Sequence, residues 1–516
     1  MHADSINHWL EMVVAEHGPK TALTFLRNGR AETTLTFAQL QRDVNRFANT
    51  LLDLGVQKGD RIILFIPKSL IAVVAHFALQ TIGAMAVPLN PGFKKSEMAY
   101  LLGDADAKLI IVEAGKKRLV QDIDPKAQLL EISTATPYQD IEFFRSAPEN
   151  VPAIDIDPDD PGLVIYTSGT TGNPKGAVLT HRNLVSDARN IIHIWEFTAD
   201  DVLCHALPLF HVHGLCFALH TALLSGAHVR LLDQFKPESV VAELSRKTGD
   251  SVCSVFMAVP AMYTNLMDFL GDQQLDFSHM RLFTSGSAPL LVKEFERMTK
   301  VFGLEPVERE GMSETGMNFS NPLTGRRIPG SIGIPLPGLQ VRIVDPDTFA
   351  DVAPGDVGEL WLKSAAISPG YWRKPQETAD TFKDGWFRTG DLGKIDADGY
   401  YYLTDRIKHI IISGGENVSA KEVETIINQI DGVNESVLVG KPDKKWGEKV
   451  VAAVTLKPGA QLTEADIKDF CKTHLHDWKC PKEIIFLEDI PRNTMGKVLK
   501  EEVKKYFYSS SFEISS

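Results

Sequence analysis

The stretch Tyr166–Asn183, YTSGTTGNPKGAVLTHRN, puts three glycines, five aliphatic hydroxyls (Thr167, Ser168, Thr170, Thr171 and Thr180) and Lys175 into eighteen residues. Residues of these types at this density suit a polyphosphate. Glycine lets the backbone approach closely, successive N–H groups point inward, and the lysine adds positive charge. The spacing Gly169, Gly172, Lys175, Gly176 is not that of the common P-loop, G-x-x-x-x-G-K-[ST]. On composition alone, a Gly/Thr-rich surface turn remains the alternative. The apolar run Gly162–Tyr166 reads as a strand and Thr180–Ile192 as a capped helix, so the loop is expected between strand and helix.

At 516 residues the chain exceeds one ordinary core, and two or more domains are expected. A hydrophobic fraction of 44% and a charged fraction of 23% are those of a soluble globular protein. The net charge of −13 argues against a nucleic-acid partner, which asks for a basic face. Five cysteines with no C-x-x-C pair read as reduced thiols in a cytoplasmic protein. The start, MHADSINHWLEMV, lacks the pattern of a signal peptide. The apolar stretches Ser69–Leu89 and Val202–Leu232 carry His, Gln, Gly or Pro and read as buried elements rather than membrane spans.

Strand-like and helical runs alternate through the first part: Phe37–Leu54 as helix, Arg61–Ile66 as strand, then a buried helix, Ala84–Leu89 and Lys108–Val112 as strands. After the glycine-rich loop the rhythm resumes with Val202–Leu207, His228–Leu232, Val252–Val259 and Met280–Thr284. The order implies parallel α/β subdomains with ligand sites at the carboxyl ends of strands. From Gly333 short strands dominate, including Gly393–Ile395 and Tyr400–Leu403, as in a β-rich subdomain. The last hundred or so residues suffice for a small α+β domain, with a helix over Glu464–His474.

The loop, GMSET at 311–315, WFRTGDLG at 386–393, DRIKHIIISGGENVSAKEVE at 405–424 and PRNTMGK at 491–497 together resemble the adenylate-forming superfamily, in its acyl-CoA synthetase branch. One motif alone is weak; these occur in the family's order and span most of the chain. The resemblance implies an N-terminal domain over residues 1–404 and a mobile C-terminal domain over 405–516, hinged near Lys408. It implies an AMP-forming ligase using ATP, Mg²⁺ and coenzyme A, cytoplasmic, without integral membrane segment, as monomer or homodimer. Thr167, Ser168, Gly169, Thr170, Thr171, Gly172 and Lys175 would hold the phosphates, and Glu314 with Thr170 the metal. Gly286, Ser287 and Ala288 with Glu308, Arg309 and Glu310 would flank the adenine, beside Thr315. Asp391 and Arg406 would meet the ribose, and Lys497 would bridge carboxylate and α-phosphate during adenylation. Gly414, Gly415 and Trp446 would meet CoA, while His211, Asn265, Ser285 and Met312 would line the acyl pocket.

Local runs (LPLFHVHGL at 207–215, GMSETGMNFSNP at 311–322, PRNTMGK) are similar to malonyl-CoA synthetases. Those enzymes pair the second carboxylate with an arginine on the helix after the Val-Pro turn, where Asn265 stands here. A neutral amide lacks the charged, two-pronged bond. The sequence therefore favours a monocarboxylic acid, most simply a fatty acid, with malonate or loading of a carrier-protein pantetheine as alternatives; Arg309, Arg326 or Arg327 can replace the missing cation. Glu310 stands where the family has an aromatic residue, and Asp405 and His409 flank Arg406 in place of Gly and Asp.

Overall fold

The computed structural model describes residues 5–167, 173–249, 251–413, 416–443, 446–492 and 498–509. The chain divides into two compact units, one of residues 1–341 and 362–387, the other of 342–361 and 388–516.

The first unit is built on two sheets. One has nine strands in the order Ile334–Pro335, Gly316–Ser320, Val307–Met312, Leu282–Ser285, Val255–Ala258, Val202–His205, His228–Leu232, Thr21–Arg27, Arg30–Thr36. Its interior pairings are parallel and its outermost ones antiparallel. The other has seven strands, with a parallel interior of Pro161–Thr167, Met85–Pro88, Arg61–Phe65, Leu109–Glu113 and Leu129–Ile132. Inner parallel strands of this sheet are buried on both faces and read as continuous apolar runs, as IILF at 62–65 does, whereas Leu129–Ile132 at the edge is only partly buried. The apolar stretch from Ser69 is accounted for by the helix Leu70–Thr81, every residue of which is buried. Among the described residues no helix is long and apolar enough to cross a membrane. All five cysteines are buried free thiols.

The surroundings of the glycine-rich loop differ from the expected strand–loop–helix. Lys175–Thr180 is itself a strand, antiparallel to Pro161–Thr167 with Thr167 opposite Lys175. The loop is thus the tip of a hairpin. The strand is buried along most of its length, with only Lys175 and Val178 partly exposed, and its apolar run Ala177–Leu179 suits a strand covered on both faces. The helix His181–Ile194 follows, capped at Thr180, whose hydroxyl accepts from Asn183 N while the Asn183 side chain accepts from Thr180 N. Its N-terminus lies a whole strand, about 20 Å, from Lys175.

The segment after Val202–His205 carries His211 and is pinned at both ends. Lys68 Nζ donates to Leu207 O at 3.0 Å, and His205 Nε2 donates to Gly214 O at 2.7 Å. A π-helical turn, His213–His220, follows, a form that concentrates at functional sites. A Cβ on Gly214 would sit 2.0 Å from Pro208 O, so no larger residue fits without moving backbone.

In the second unit, Asp391–Ile395 pairs antiparallel with Tyr401–Arg406, so the strand around Asp391 is longer than the Gly393–Ile395 read from sequence. Beyond it, Val433–Asp443 and Gly447–Leu456 form a long antiparallel ribbon with Ile410–Ser413 and Glu483–Phe486 on its sides and the helices Ala420–Ile427 and Glu464–His474 alongside.

Gly214→Ala is expected to destabilise the protein by about 3 kcal/mol, because an added methyl here forces the backbone apart. Urea unfolding measures it; a loss under about 0.5 kcal/mol would show the segment to be loosely held.

Candidate active site

The carboxyl ends of four adjacent parallel strands deliver most of the expected residues. Val202–His205 leads to His211, Val255–Ala258 to the helix Pro260–Leu270 bearing Asn265, Leu282–Ser285 to Gly286–Ala288, and Val307–Met312 to Glu314. A ligand site at such an edge is the general rule for open parallel sheets. Backbone strain marks it as well: Ser287 has φ +68°, unusual for a residue with a side chain, and its hydroxyl lies 3.2 Å from His213 Nδ1.

Many side-chain polar atoms here are buried without a hydrogen-bond partner among the described residues. They include His205 Nδ1, His211 Nε2, His213 Nε2, Thr284 Oγ1, Ser285 Oγ and all three guanidinium nitrogens of Arg309. Native folds rarely leave such groups unpaired, and a cluster of them implies a ligand or bound water. Arg309 is the extreme case. Its side chain is 2% exposed, its guanidinium carbon lies 5.0 Å from the Phe217 ring centroid, and Gly286 is the residue that leaves it room. Burial lowers the guanidinium to about 10 while Glu310 and Asp187 hold it up, so it remains a cation at neutral pH.

Glu310 takes a hydrogen bond from Asn318 Nδ2 at 3.1 Å, and the same amide donates to Thr315 Oγ1 at 2.7 Å. The carboxylate that replaces an aromatic residue is therefore built into the strand pair. Glu308 accepts from Gly330 N at 3.2 Å. Asp187, unnoticed in the sequence, accepts from Met317 N at 2.8 Å and lies where a Cβ on Gly316 would meet it, holding the turn beyond Glu314. Burial raises its carboxyl to about 7. Met312 is half-buried, whereas Asn265 is on the exposed side of its helix, opposite the buried Tyr263 and Met267.

The root of the glycine-rich loop is anchored by Tyr100, whose hydroxyl donates to Pro174 O at 2.9 Å, and by Thr167 Oγ1, 3.4 Å from Lys175 O. Lys175 Nζ stands over the Tyr371 ring, 5.2 Å from its centroid, and the Tyr371 hydroxyl donates to Glu314 Oε1 at 3.0 Å. Tyr371 was missed because nothing in its spacing tied it to either group. Ser168, Gly169, Thr170, Thr171 and Gly172, together with Gly414, Gly415 and Lys497, lie outside the described residues. Glu314 offers the hard oxygen that Mg²⁺ takes. One or two carboxylates suffice when the ion is also held by nucleotide phosphates, so the residues present fit that ion.

In the second unit Asp391 is buried and paired with Arg406, Nε to Oδ1 2.6 Å, on facing strand positions. Asp405 accepts from Ser419 Oγ at 2.7 Å and Lys421 N at 3.0 Å, which gives this departure a reason: it ties the strand to the start of the helix Ala420–Ile427. Trp446 is half-buried, its N–H held by Asp443 Oδ1 at 3.1 Å.

The sequence matches the AMP-binding enzyme family over residues 10–372 and the AMP-binding enzyme C-terminal domain over 422–497. The chain belongs to this family, in the acyl-CoA synthetase branch of the adenylate-forming superfamily, and is an AMP-forming acyl-CoA ligase. It is 35% identical to a mitochondrial malonate–CoA ligase of Bos taurus over 88% of this chain and 82% of that protein. It is 34% identical to a long-chain-fatty-acid–CoA ligase of Mycobacterium tuberculosis over 92% of this chain and 94% of that protein. The fold matches the crystal structure of ATP-bound MatB from Rhodopseudomonas palustris with a TM-score of 0.90 and 36% identity, covering 98% and 99% of the two chains.

Burial pushes the imidazoles down to about 4 at His181 and His211 and about 3 at His205, His220 and His228. Unfolded, each binds its proton near 6.5, so the unfolded state binds more protons below that pH. This contribution is whole above about 6.5 and is lost as pH falls toward 4. Asp187 runs the other way, since its raised carboxyl keeps a proton that the unfolded chain releases. These five histidines, with His76 and His213 also held low by burial, outweigh it, and stability is expected to drop by at least about 5 kcal/mol between pH 7.5 and 5.5. Urea titrations at the two pH values test this; equal stabilities would mean that these rings are protonated in the fold.

Proposed function

We propose that the chain activates a short carboxylic acid bearing a second anionic group, of the malonate type, and passes it to coenzyme A. The observation that carries this reading is Arg309: a buried, cationic, two-pronged donor with no hydrogen-bond partner among the described residues. Its contact with Phe217, next to the His211–His213 segment, favours the acyl side of the cleft. The runs similar to malonyl-CoA synthetases and the bovine relative support the same choice. The neutral Asn265 carries less weight against malonate than it does in the sequence, because its side chain lies on an exposed helix face.

In the first half-reaction a carboxylate oxygen of the acid attacks the α-phosphorus of ATP, and the bond to pyrophosphate breaks. The residues from Thr167 to Lys175 hold the leaving pyrophosphate, Lys497 offsets charge on the carboxylate and α-phosphate, and Asp391 with Arg406 grips the ribose. Glu314 and Thr170 would hold Mg²⁺, which would supply further neutralisation of the phosphates. In the second half-reaction the CoA sulfur attacks the acyl carbon and AMP leaves. His211 controls access between acyl pocket and thiol. Residues 405–516 turn about Lys408 to bring Gly414, Gly415 and Trp446 to the pantetheine. The reaction is placed in the cytoplasm, with free CoA as acceptor rather than a carrier protein.

A fatty acid is the second reading, favoured by the absence of a cation at Asn265 and by the mycobacterial relative. An acid panel separates the two. Thioester formation with malonate is expected to exceed that with propionate by about 100-fold in kcat/KM, the worth of one charge-assisted, two-pronged contact. Arg309→Leu is expected to abolish this preference while octanoate remains a poor substrate. A preference for octanoate that Arg309→Leu leaves intact would establish the fatty-acid reading instead.

A further inference from the structure

Tyr371 touches both groups assigned to the phosphate half of the reaction, and no sequence motif for phosphate or metal binding includes it. Its hydroxyl donates to Glu314 Oε1 at 3.0 Å, and its ring faces Lys175 Nζ at 5.2 Å. The backbone around it is fastened to the same two places. Gly370–Tyr371 pairs antiparallel with the strand that begins at Lys175, with Tyr371 opposite Ala177, and Trp372 N donates to Gly176 O at 2.7 Å. Three residues earlier, Ser368 N donates to Glu314 O at 2.7 Å. The Ser368 hydroxyl donates to Gly370 O, and Tyr371 N donates to Thr378 Oγ1 at 3.0 Å. Gly370, at φ +152° with Thr378 2.5 Å from any added Cβ, fixes the direction in which the tyrosine leaves the strand. Residues 368–372 therefore form a strut between two elements from different sheets.

We infer that Tyr371 is a positioning residue for the adenylation step, holding the Glu314 carboxylate in the plane needed to meet Mg²⁺ and Lys175 in register with the pyrophosphate. The inference rests on the roles proposed above for Glu314 and Lys175. The physical argument is that of any outer partner of a metal ligand. A flexible carboxylate loses rotational freedom when it binds a cation, and a hydrogen bond that fixes it beforehand removes that cost. The ring contributes separately, since a cation over an aromatic face is held without a competing hydrogen bond to its oxygen.

The test uses the full-length protein and a non-hydrolysable probe, α,β-methylene-ATP, titrated calorimetrically with Mg²⁺ and again in EDTA. Wild type is expected to bind more tightly with Mg²⁺. Tyr371→Phe keeps the ring and loses the hydroxyl. It should lose roughly 10-fold of the Mg²⁺-dependent gain and keep its metal-free affinity within about twofold of wild type. Tyr371→Leu should lose the same gain and about threefold of the metal-free affinity as well, because Lys175 loses its platform. Melting curves of the unliganded variants check that each is folded. A Tyr371→Phe protein that retains the whole Mg²⁺-dependent gain overturns the positioning role while leaving Glu314 and Lys175 in theirs. A wild type that shows no such gain overturns both.

Discussion

A catalyst that joins two anions must keep cationic and N–H donors ready in a place that excludes water, and each donor costs folding free energy until a ligand arrives. Arg309 expresses this constraint most strongly in this chain, being buried, charged and without a hydrogen-bond partner among the described residues. Around it the surroundings are arranged for occupancy rather than for self-satisfaction. Gly286 leaves space, Phe217 offers a ring face, and the neighbouring histidines stay neutral because burial disfavours their charged forms. The large apolar core beneath them has the opposite task, to carry a fold that tolerates such a site.

The two sheets divide the labour. Adjacent parallel strands carry Ser285 and Arg309 and lead directly to Gly286 and, through the pinned segment after His205, to His211. The glycine-rich hairpin comes from the other sheet, and the strut at 368–372 links it to Glu314. Around Lys175 and Glu314 the structure is held by backbone pairing, and around His211 by pinned loop ends at Leu207 and Gly214.

Much of this was readable in the residues, for physical reasons. Parallel strands such as Val255–Ala258, and Arg61–Phe65 after its first residue, are uninterrupted apolar runs, and the helix Glu464–His474 announces itself by Thr463 and Asp466 at capping spacing. Other features depend on contacts far apart in the chain. The hairpin strand Lys175–Thr180 looked like part of a loop because its glycine and lysine outweigh its short apolar run. The hairpin Thr21–Thr36 carries mixed Thr, Arg and Glu, and its partner strand lies some two hundred residues away. Tyr371, Lys68 and Asp187 acquire meaning only when folding brings them to Glu314, Leu207 and Met317. Asn265 shows the converse: a position singled out by motif alone, whose side chain the helix turns outward.

The claim on which the account rests is that Arg309 is kept for a ligand and not for the fold. The unfolding free energy of Arg309→Leu without substrate, compared with wild type in urea at pH 7.5, tests this most directly. A buried cation without hydrogen-bond partners, only partly offset by Glu310 and Asp187, replaced by an apolar side chain should make the unliganded protein more stable, by about 1–2 kcal/mol. A loss of about 2 kcal/mol or more would show that the guanidinium holds the structure together, and would contradict the account.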